Sequence, residues 1–99
     1  MPQVSRHSDI AATGHKCTPR VPVIATQFTV FANGAPVARM ADPTQSHKIK
    51  KGDECKGHEA QINIGSGTVF AEGIPMARVG DSTDAGAMII GSPNVFAGG

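Results

Sequence analysis

Short apolar segments, each followed by a turn signal, recur along this chain of 99 residues. The sequence TVFA at residues 29–32 is rich in residues that favour strands, and it occurs again at residues 68–71. Asn33 and Gly34 follow the first copy, and both residue types accept the positive φ that a two-residue hairpin turn requires. A Glu-Gly pair has the same place in the second copy, and a proline then opens the return strand. The pattern predicts two β-hairpins.

The two hairpins belong to a longer repeated phrase. Residues 29–42 read TVFANGAPVARMAD, and residues 68–81 read TVFAEGIPMARVGD. A third copy is divided between the ends, with its second half at residues 4–9 and its first half at residues 93–98. A repeat constrains the architecture before any single strand is assigned. Because the last segment can join the first, we expect one all-β domain over residues 1–99, with three equivalent lobes and no free sheet edge.

Each copy of the phrase ends in Asp, after which the chain leaves the lobe and returns at the next Val-Phe pair. The resulting excursions span residues 9–30, 42–69 and 81–95, so the first two are long and the third is short. Long connections of this kind commonly carry function. The first two contain three of the four histidines and both cysteines, whereas the third contains neither residue type.

Cysteine interleaved with histidine is typical of a metal site. Imidazole and thiolate are ligands that suit zinc, and four of them complete a closed tetrahedral site. The sequence therefore predicts a structural metal held by His15, His47, Cys55 and His58, with Cys17 as the substitute sulfur ligand. Zinc is the first expectation, and iron accepts the same ligands. One ion joining two long loops contributes on the order of 10 kcal/mol to folding.

The remaining charged and histidine positions are explained by the repeat. His7 occupies the position held by Met40 and Val79 in the other copies, so we interpret it as a lobe residue. The Arg and Asp residues of the phrase recur together, which favours structural pairs over general bases. These four residues are Arg39, Asp42, Arg78 and Asp81.

Composition narrows the classes of function. Nineteen residues are Gly or Pro, which argues against long helices. The net charge is +1, and the lysines near residues 48–56 are interrupted by acids without aromatic neighbours, so we expect no nucleic-acid partner. Neither a signal peptide nor a membrane span is expected. Synthesis in the cytoplasm argues against a disulfide between Cys17 and Cys55.

Catalytic motifs are incomplete. Residues 58–62 read HEAQI, which begins like a metalloprotease motif but has Ile where the second His is required. Residues 65–67 do not continue as a phosphate-binding loop. We therefore predict that the chain is not an enzyme. Two alternatives stay open. One is a zinc hydrolase with an open coordination position and Glu59 as its base, and the other is an adhesin module with a disulfide between Cys17 and Cys55.

The repeated phrase resembles the signature of PAAR-repeat proteins. Residues 36–39 read PVAR and residues 75–78 read PMAR, each after Val-Phe-Ala-x-Gly and before Asp. The ending GSPNVFAG at residues 91–98 is also similar to that family, and GHKCTP at residues 14–19 resembles the first loop of phage-type members. The resemblance covers essentially the whole chain.

The resemblance implies a small cone with pseudo-threefold symmetry whose narrow end carries a metal, usually zinc, held by three His and one Cys. Its broad end would cap a trimeric β-helical spike, VgrG-like in type VI secretion systems or part of a phage baseplate, at one cap per trimer. Such a tip sharpens the spike and contacts the target envelope transiently. It would be made in the cytoplasm and then reside on the phage tail or be secreted, without a stable homo-oligomer. We expect no toxin domain beyond the repeat.

Overall fold

The structure is a computed structural model that describes residues 1–98, and within them it contains strands and no helix. This confirms the all-β prediction. Accordingly, no helix in these residues is long and apolar enough to cross a membrane. The ten strands are β1 (Ile10–Ala12), β2 (Arg20–Pro22), β3 (Phe31–Ala32), β4 (Ala35–Pro36), β5 (His47–Lys51), β6 (Glu54–His58), β7 (Phe70–Ala71), β8 (Ile74–Pro75), β9 (Ser82–Thr83) and β10 (Gly86–Met88).

The two predicted hairpins are present, with strands of only two residues each. β3 pairs with β4 and β7 pairs with β8, both antiparallel and both with proline at the second position of the return strand. The turns adopt the positive φ values that their sequences predict. Asn33 has φ 54° and Gly34 has φ 78°, while Glu72 has φ 50° and Gly73 has φ 79°. The Glu-Gly pair therefore forms the same kind of turn as Asn-Gly.

The third lobe is assembled from the two ends of the chain, as the split repeat predicts. Gln3 and Phe96 form an antiparallel bridge. The Val4 N–H donates to the Val95 carbonyl at 2.9 Å, and the Ala97 N–H donates to the Pro2 carbonyl at 3.0 Å. Residues 2–4 and 95–97 thus take the places of the two strands in the other lobes.

A closed ring of three backbone hydrogen bonds joins the lobes. Ser5 N–H donates to the Ala77 carbonyl, Ala77 N–H donates to the Ala38 carbonyl, and Ala38 N–H donates to the Ser5 carbonyl, each at 2.9 Å. All three residues have 0% exposure. Their short side chains allow the three chain segments to approach one another at the centre. The arrangement gives the lobes pseudo-threefold symmetry.

The Arg and Asp residues of the phrase have structural roles. In every lobe the Asp side chain accepts a hydrogen bond at 2.8 Å from the backbone N–H of the Arg three residues earlier. Arg6 and Arg78 also direct their guanidinium groups at the Asp of their own lobe. Arg39 does not, since Thr26 donates to Asp42 in its place and Arg39 turns to the Ala71 carbonyl at 3.3 Å.

Each excursion contains an antiparallel hairpin. The first contains β1–β2, the second β5–β6 and the third β9–β10. β1 also pairs with β10, so the first and third excursions share a sheet of order β2-β1-β10-β9. The β5–β6 hairpin is separate, and residues 48–57 are exposed apart from the half-buried Ile49.

An apolar cluster lies where the lobes pass into the excursions. Val23, Ile62 and Met88 occupy equivalent positions, because each donates its N–H to the carbonyl of the Asp that ends a phrase, at 2.9–3.0 Å. They pack with the small residues Ala11, Ala38 and Ala77. This cluster holds the excursions in a fixed orientation relative to the lobes.

Substitution of Ile62 should therefore destabilise the whole domain. Ile62 has 0% exposure, and Ile62→Ala removes three carbons and leaves a cavity. We expect the free energy of unfolding to fall by about 2–5 kcal/mol in urea titrations. Ile64→Ala is the control, since Ile64 is half exposed and its replacement should change stability by less than about 0.5 kcal/mol. Equal losses for both variants would contradict this account of the core.

Candidate metal centre

Three imidazoles converge on one carboxylate where the excursions meet. The Nε2 atoms of His15, His47 and His58 lie 2.9, 2.8 and 3.3 Å from the side-chain oxygens of Asp84. The imidazole centroids lie 5.0–6.0 Å from one another. We call these four residues the His3Asp cluster. It draws His15 from the first excursion, His47 and His58 from the second, and Asp84 from the third.

The distances fit a single ion. One donor atom from each residue lies within 4.8 Å of all the others. A tetrahedral ion with bonds of about 2.0–2.1 Å would separate its donor atoms by about 3.3 Å. The Asp84 oxygens lie 2.8–3.3 Å from the imidazole nitrogens, at that value for His58 and slightly below it for His15 and His47. Three imidazole nitrogens and a carboxylate oxygen are ligands that zinc and iron both accept.

The β5–β6 hairpin fixes two of the imidazoles. His47 begins β5 and His58 ends β6, and the two residues are direct partners in the strand register. The His47 side chain is only 1% exposed, whereas that of His58 is 28% exposed. His47 is thus the buried anchor of the cluster.

The hydrogen bond at Nδ1 determines which nitrogen of His47 carries its proton. His47 Nδ1 lies 2.9 Å from the Gln45 carbonyl oxygen, which only accepts hydrogen bonds, so Nδ1 is the donor. A neutral His47 then presents a lone pair at Nε2. The Asp84 carboxylate also presents lone pairs, 2.8 Å away. Two acceptors this close require a proton or a metal cation between them.

His15 is positioned by the loop between β1 and β2, residues 13–19, which we call the first-excursion loop. Thr13 organises it, because its buried hydroxyl donates to the Thr18 carbonyl and accepts the His15 N–H at 3.0 Å. Thr13 N–H also donates to the Pro19 carbonyl at 2.9 Å. These bonds close the loop and hold the His15 side chain next to Asp84. The side chain is 23% exposed.

Asp84 lies in the two-residue turn between β9 and β10, with φ 57°. Its N–H donates to the Gln61 carbonyl at 3.2 Å, and its carbonyl accepts from the Asn63 side chain at 3.1 Å. Gly86 brings the turn close to the first excursion, since a Cβ there would lie 2.0 Å from the Ala12 carbonyl oxygen. A glycine at this position therefore allows Asp84 to reach His15.

Burial and hydrogen bonding act in opposite directions on the Asp84 carboxyl. Burial raises its pKa, but hydrogen bonds from the three imidazoles lower the pKa by more, so that it lies below the ordinary value. The carboxyl group is therefore ionised at neutral pH. The Asp84 side chain is only 7% exposed, and burial of a negative charge without a positive partner destabilises the fold. This favours occupation of the site by a cation.

The cysteines lie apart from this cluster. Cys17 and Cys55 form a disulfide with a Cα–Cα distance of 6.0 Å, so the expectation that they are not bonded to each other is wrong. The predicted sulfur ligand Cys55 has no thiolate in this structure, and neither has its substitute Cys17. The reason lies in the strand geometry, because Cys55 is three residues from His58 on β6 and side chains at odd spacing point to opposite faces.

The structure thus brings together three of the four residues predicted as metal ligands and places Asp84 beside them. His15, His47 and His58 meet, whereas Cys55 lies on the other face of its strand. Asp84 comes from the excursion that has no His or Cys. One signal in the sequence could have indicated Asp84. It is the acidic residue of a short turn in the excursion for which no ligand was predicted.

The other candidate residues lie outside the cluster. His7 is exposed, and its Nδ1 accepts the Ala25 N–H at 3.1 Å. Glu59, the base of the hydrolase alternative, is exposed and accepts a hydrogen bond from Ser46 at 2.8 Å. Lys56 contacts Glu54 at 3.8 Å on the exposed hairpin, which agrees with a solvated surface.

Three similar lobes around a closed ring, with donor groups on the excursions, define a small β-domain of repeated hairpins. The family profile described as the PAAR motif matches residues 13–91 of this chain. The chain therefore belongs to the PAAR-repeat family, a family of structural spike-tip proteins. A comparison with curated proteins gave no match.

Neutralising the Asp84 carboxyl should weaken the metal-free domain in a pH-dependent way. Asp84→Asn keeps a residue type that tolerates φ 57° and removes the charge. Because the folded pKa of Asp84 is lowered, its ionisation stabilises the fold above the unfolded pKa of about 3.9, and this contribution is lost as pH falls through the folded pKa.

We expect Asp84→Asn to lower the free energy of unfolding by about 1–3 kcal/mol at pH 7, with the difference from wild type shrinking below about pH 4. The measurement is urea unfolding with a chelator present. Asp53→Asn on the exposed hairpin is the control and should have no such effect. A difference that grows on acidification would contradict the assigned direction of the Asp84 pKa.

Proposed function

We propose that this chain is a structural, metal-bound tip that caps a trimeric β-helical spike of a type VI secretion system or a contractile phage tail. It sharpens the spike for penetration of the target envelope and has no catalytic activity. One domain over residues 1–99 binds one spike trimer. The chain is made in the cytoplasm and resides on the assembled spike.

The observation that carries this proposal is the threefold repetition of an exposed aromatic residue on one chain. Phe31, Phe70 and Phe96 occupy the same position in the three lobes and are 53%, 52% and 44% exposed. Exposed phenylalanines at symmetry-related positions are typical of an interface. A partner with three equal subunits can contact them equivalently, with one cap for each trimer.

The His3Asp cluster supports the structural part of the proposal. We propose that His15, His47, His58 and Asp84 hold zinc, with iron as the second candidate. Four protein ligands leave no open position for a substrate, which favours a structural ion over a catalytic one. Because the donors come from all three excursions, the ion would join them at one point and stiffen that part of the domain.

The test is co-purification with a trimeric β-helical spike, followed by mass measurement of the intact complex. One chain per trimer is expected, and three chains per trimer would refute the cap. Replacing Phe31, Phe70 and Phe96 together with Asp should abolish the complex, because three charges would then be buried without partners. Ile64→Asp, which alters an exposed apolar residue outside the hairpin lobes, should leave the complex intact.

The disulfide favours one second candidate, an adhesin module that works outside the cell. Disulfides persist in oxidising compartments, and Cys17–Cys55 is bonded here. Elemental analysis combined with non-reducing mass measurement separates the two proposals. One equivalent of metal supports the tip, whereas a mass two daltons low without metal supports the adhesin.

A further inference from the structure

The positive charge of this chain is concentrated on the excursions. The copies of the repeated phrase contain three arginines and four carboxylates, so the lobes carry a formal charge of −1. The rest of the chain contains all five lysines, Arg20 and four carboxylates, which gives +2. In the lobes, each arginine lies 2.9–3.8 Å from a carboxylate. The excursions therefore present the charges that can attract an anionic partner.

Two of the lysines share one face of the β5–β6 hairpin. Lys48 and Lys50 are two residues apart on β5, so their side chains point to the same side. Lys51 and Lys56 lie on the opposite face with Glu54, which pairs with Lys51 in the strand register and lies 3.8 Å from the Lys56 ammonium group. Within residues 1–98, neither Lys48 nor Lys50 forms an ion pair. One face is thus compensated by a carboxylate and the other is not.

The first-excursion loop adds a third lysine on the uncompensated side. Cys55 lies on this side of β6, because it pairs with Lys50 in the register. Its Cα atom is 6.0 Å from that of Cys17, and Lys16 directly precedes Cys17. All three lysines are exposed. We call this surface the lysine face, and its members are Lys16, Lys48 and Lys50.

We propose that the lysine face binds the phosphate groups of an anionic bilayer, so that the excursions attach this chain to a negatively charged membrane surface. The inference rests on the proposed function, since it names the chemistry by which the tip contacts the target envelope. A lysine close to an anionic membrane strengthens binding by about fivefold. Lysines on one side of a hairpin can approach a flat surface together.

The composition of the hairpin favours a bilayer over a nucleic acid. The chain has no Trp or Tyr, and its four phenylalanines lie at residues 28, 31, 70 and 96, outside the first-excursion loop and the β5–β6 hairpin. No aromatic side chain of these two segments can therefore stack on bases. Asp53 and Glu54 lie at the turn of the hairpin, and insertion into a DNA groove would bring their carboxylates close to phosphates of the same charge.

A groove beside Lys16 also suits a lipid headgroup. It has a volume of about 380 Å³, and its lining includes Ala12, Pro19 and Arg20. Arg20 is exposed, and within residues 1–98 it forms no ion pair. Apolar walls together with two cationic side chains match a ligand that carries a phosphate next to an apolar chain.

The experiment measures sedimentation of the full chain with vesicles of one part phosphatidylglycerol and two parts phosphatidylcholine, in about 0.1 M salt, where charges are screened beyond about 10 Å. Two variants each remove two positive charges from the hairpin. Lys48→Gln combined with Lys50→Gln alters the lysine face and should lower the partition coefficient about 25-fold. Lys51→Gln combined with Lys56→Gln alters the opposite face and should lower it less than about threefold, because Glu54 already offsets those charges.

The comparison of the two variants decides the proposal. A loss at least fivefold greater for the lysine-face variant supports it, and a smaller difference overturns it. Binding of wild type that is no stronger than to vesicles of phosphatidylcholine alone also overturns it. Tighter binding to a short DNA duplex than to the anionic vesicles, in the same salt, would identify a nucleic acid as the partner and refute the bilayer.

Co-purification with the trimeric spike separates this inference from the proposed function. The lysine-face variant should still form the spike complex, because its altered residues lie on an excursion and not on the lobes. If wild type forms that complex but does not bind the vesicles, the cap stands and only the membrane contact is refuted. If it binds the vesicles through the lysine face but forms no spike complex, the cap is refuted and the anionic-lipid surface stands.

Discussion

Replacing His47 with alanine should abolish stoichiometric metal binding by this chain. His47 is the most buried member of the His3Asp cluster, and its Nδ1–H bond to Gln45 directs the Nε2 lone pair at the site. Loss of this proposed ligand leaves three donor residues, of which two are partly exposed. Since removal of a supporting group alone costs 10–100-fold in affinity, we expect loss of the ligand itself to cost more than about 100-fold.

The same variant should lose the stabilisation that we expect a bound metal to confer. An ion at 1,000 times its dissociation constant stabilises a folded protein by about 4 kcal/mol. Wild type should therefore unfold at a higher temperature with zinc than with a chelator, whereas His47→Ala should unfold at one temperature in both. The control is His7→Ala, because His7 lies on a lobe outside the cluster and its loss should leave the response to zinc unchanged. A full zinc response in His47→Ala would refute the assigned site.

Removing the disulfide should produce the second large effect, and this effect does not depend on metal. Cys17 and Cys55 are 38 residues apart in sequence. Closing a loop of that size restricts the unfolded chain by about 4 kcal/mol in the chain-entropy model. Cys17→Ser combined with Cys55→Ser should lower the free energy of unfolding by roughly that amount in urea titrations with a chelator present.

Reduced wild type provides the matched control for this prediction. It lacks the bond but keeps both sulfur atoms, so its unfolding midpoint should coincide with that of the double variant. If the double variant is as stable as oxidised wild type, the bond does not constrain the unfolded chain. If it is less stable than reduced wild type, the packing of the two sulfur atoms contributes in addition to the bond.

The lobes could be predicted from the sequence because local chemistry determines them. Asn33-Gly34 and Glu72-Gly73 specify tight turns with positive φ, and the repeated phrase around them specifies equivalent pairing. The assembly of the third lobe from residues 2–4 and 95–97 follows from the same repeat. The repeated phrase does not predict that the Arg39 guanidinium turns away from Asp42. This difference arises because Thr26, from another segment, donates to Asp42 in place of Arg39.

The candidate site was less predictable because its geometry depends on how the excursions fold. A turn at residues 55–58 would bring Cys55 and His58 together as two metal ligands. The segment is instead a strand, which directs the two side chains to opposite faces. A search of the sequence for His and Cys does not find Asp84. It becomes a candidate only once the pairing of β1 with β10 places its turn beside the first-excursion loop.

The ring of Ser5, Ala38 and Ala77 has a consequence for the route by which this chain folds. Two of its three hydrogen bonds involve Ser5, whose neighbour Val4 must also pair with Val95, some ninety residues away along the chain. Contacts of such separation form late, since the entropy lost in closing the intervening loop is large. Emerging chains on a ribosome would therefore complete two lobes and hold the third open, and folding would finish when the last segment joins the first.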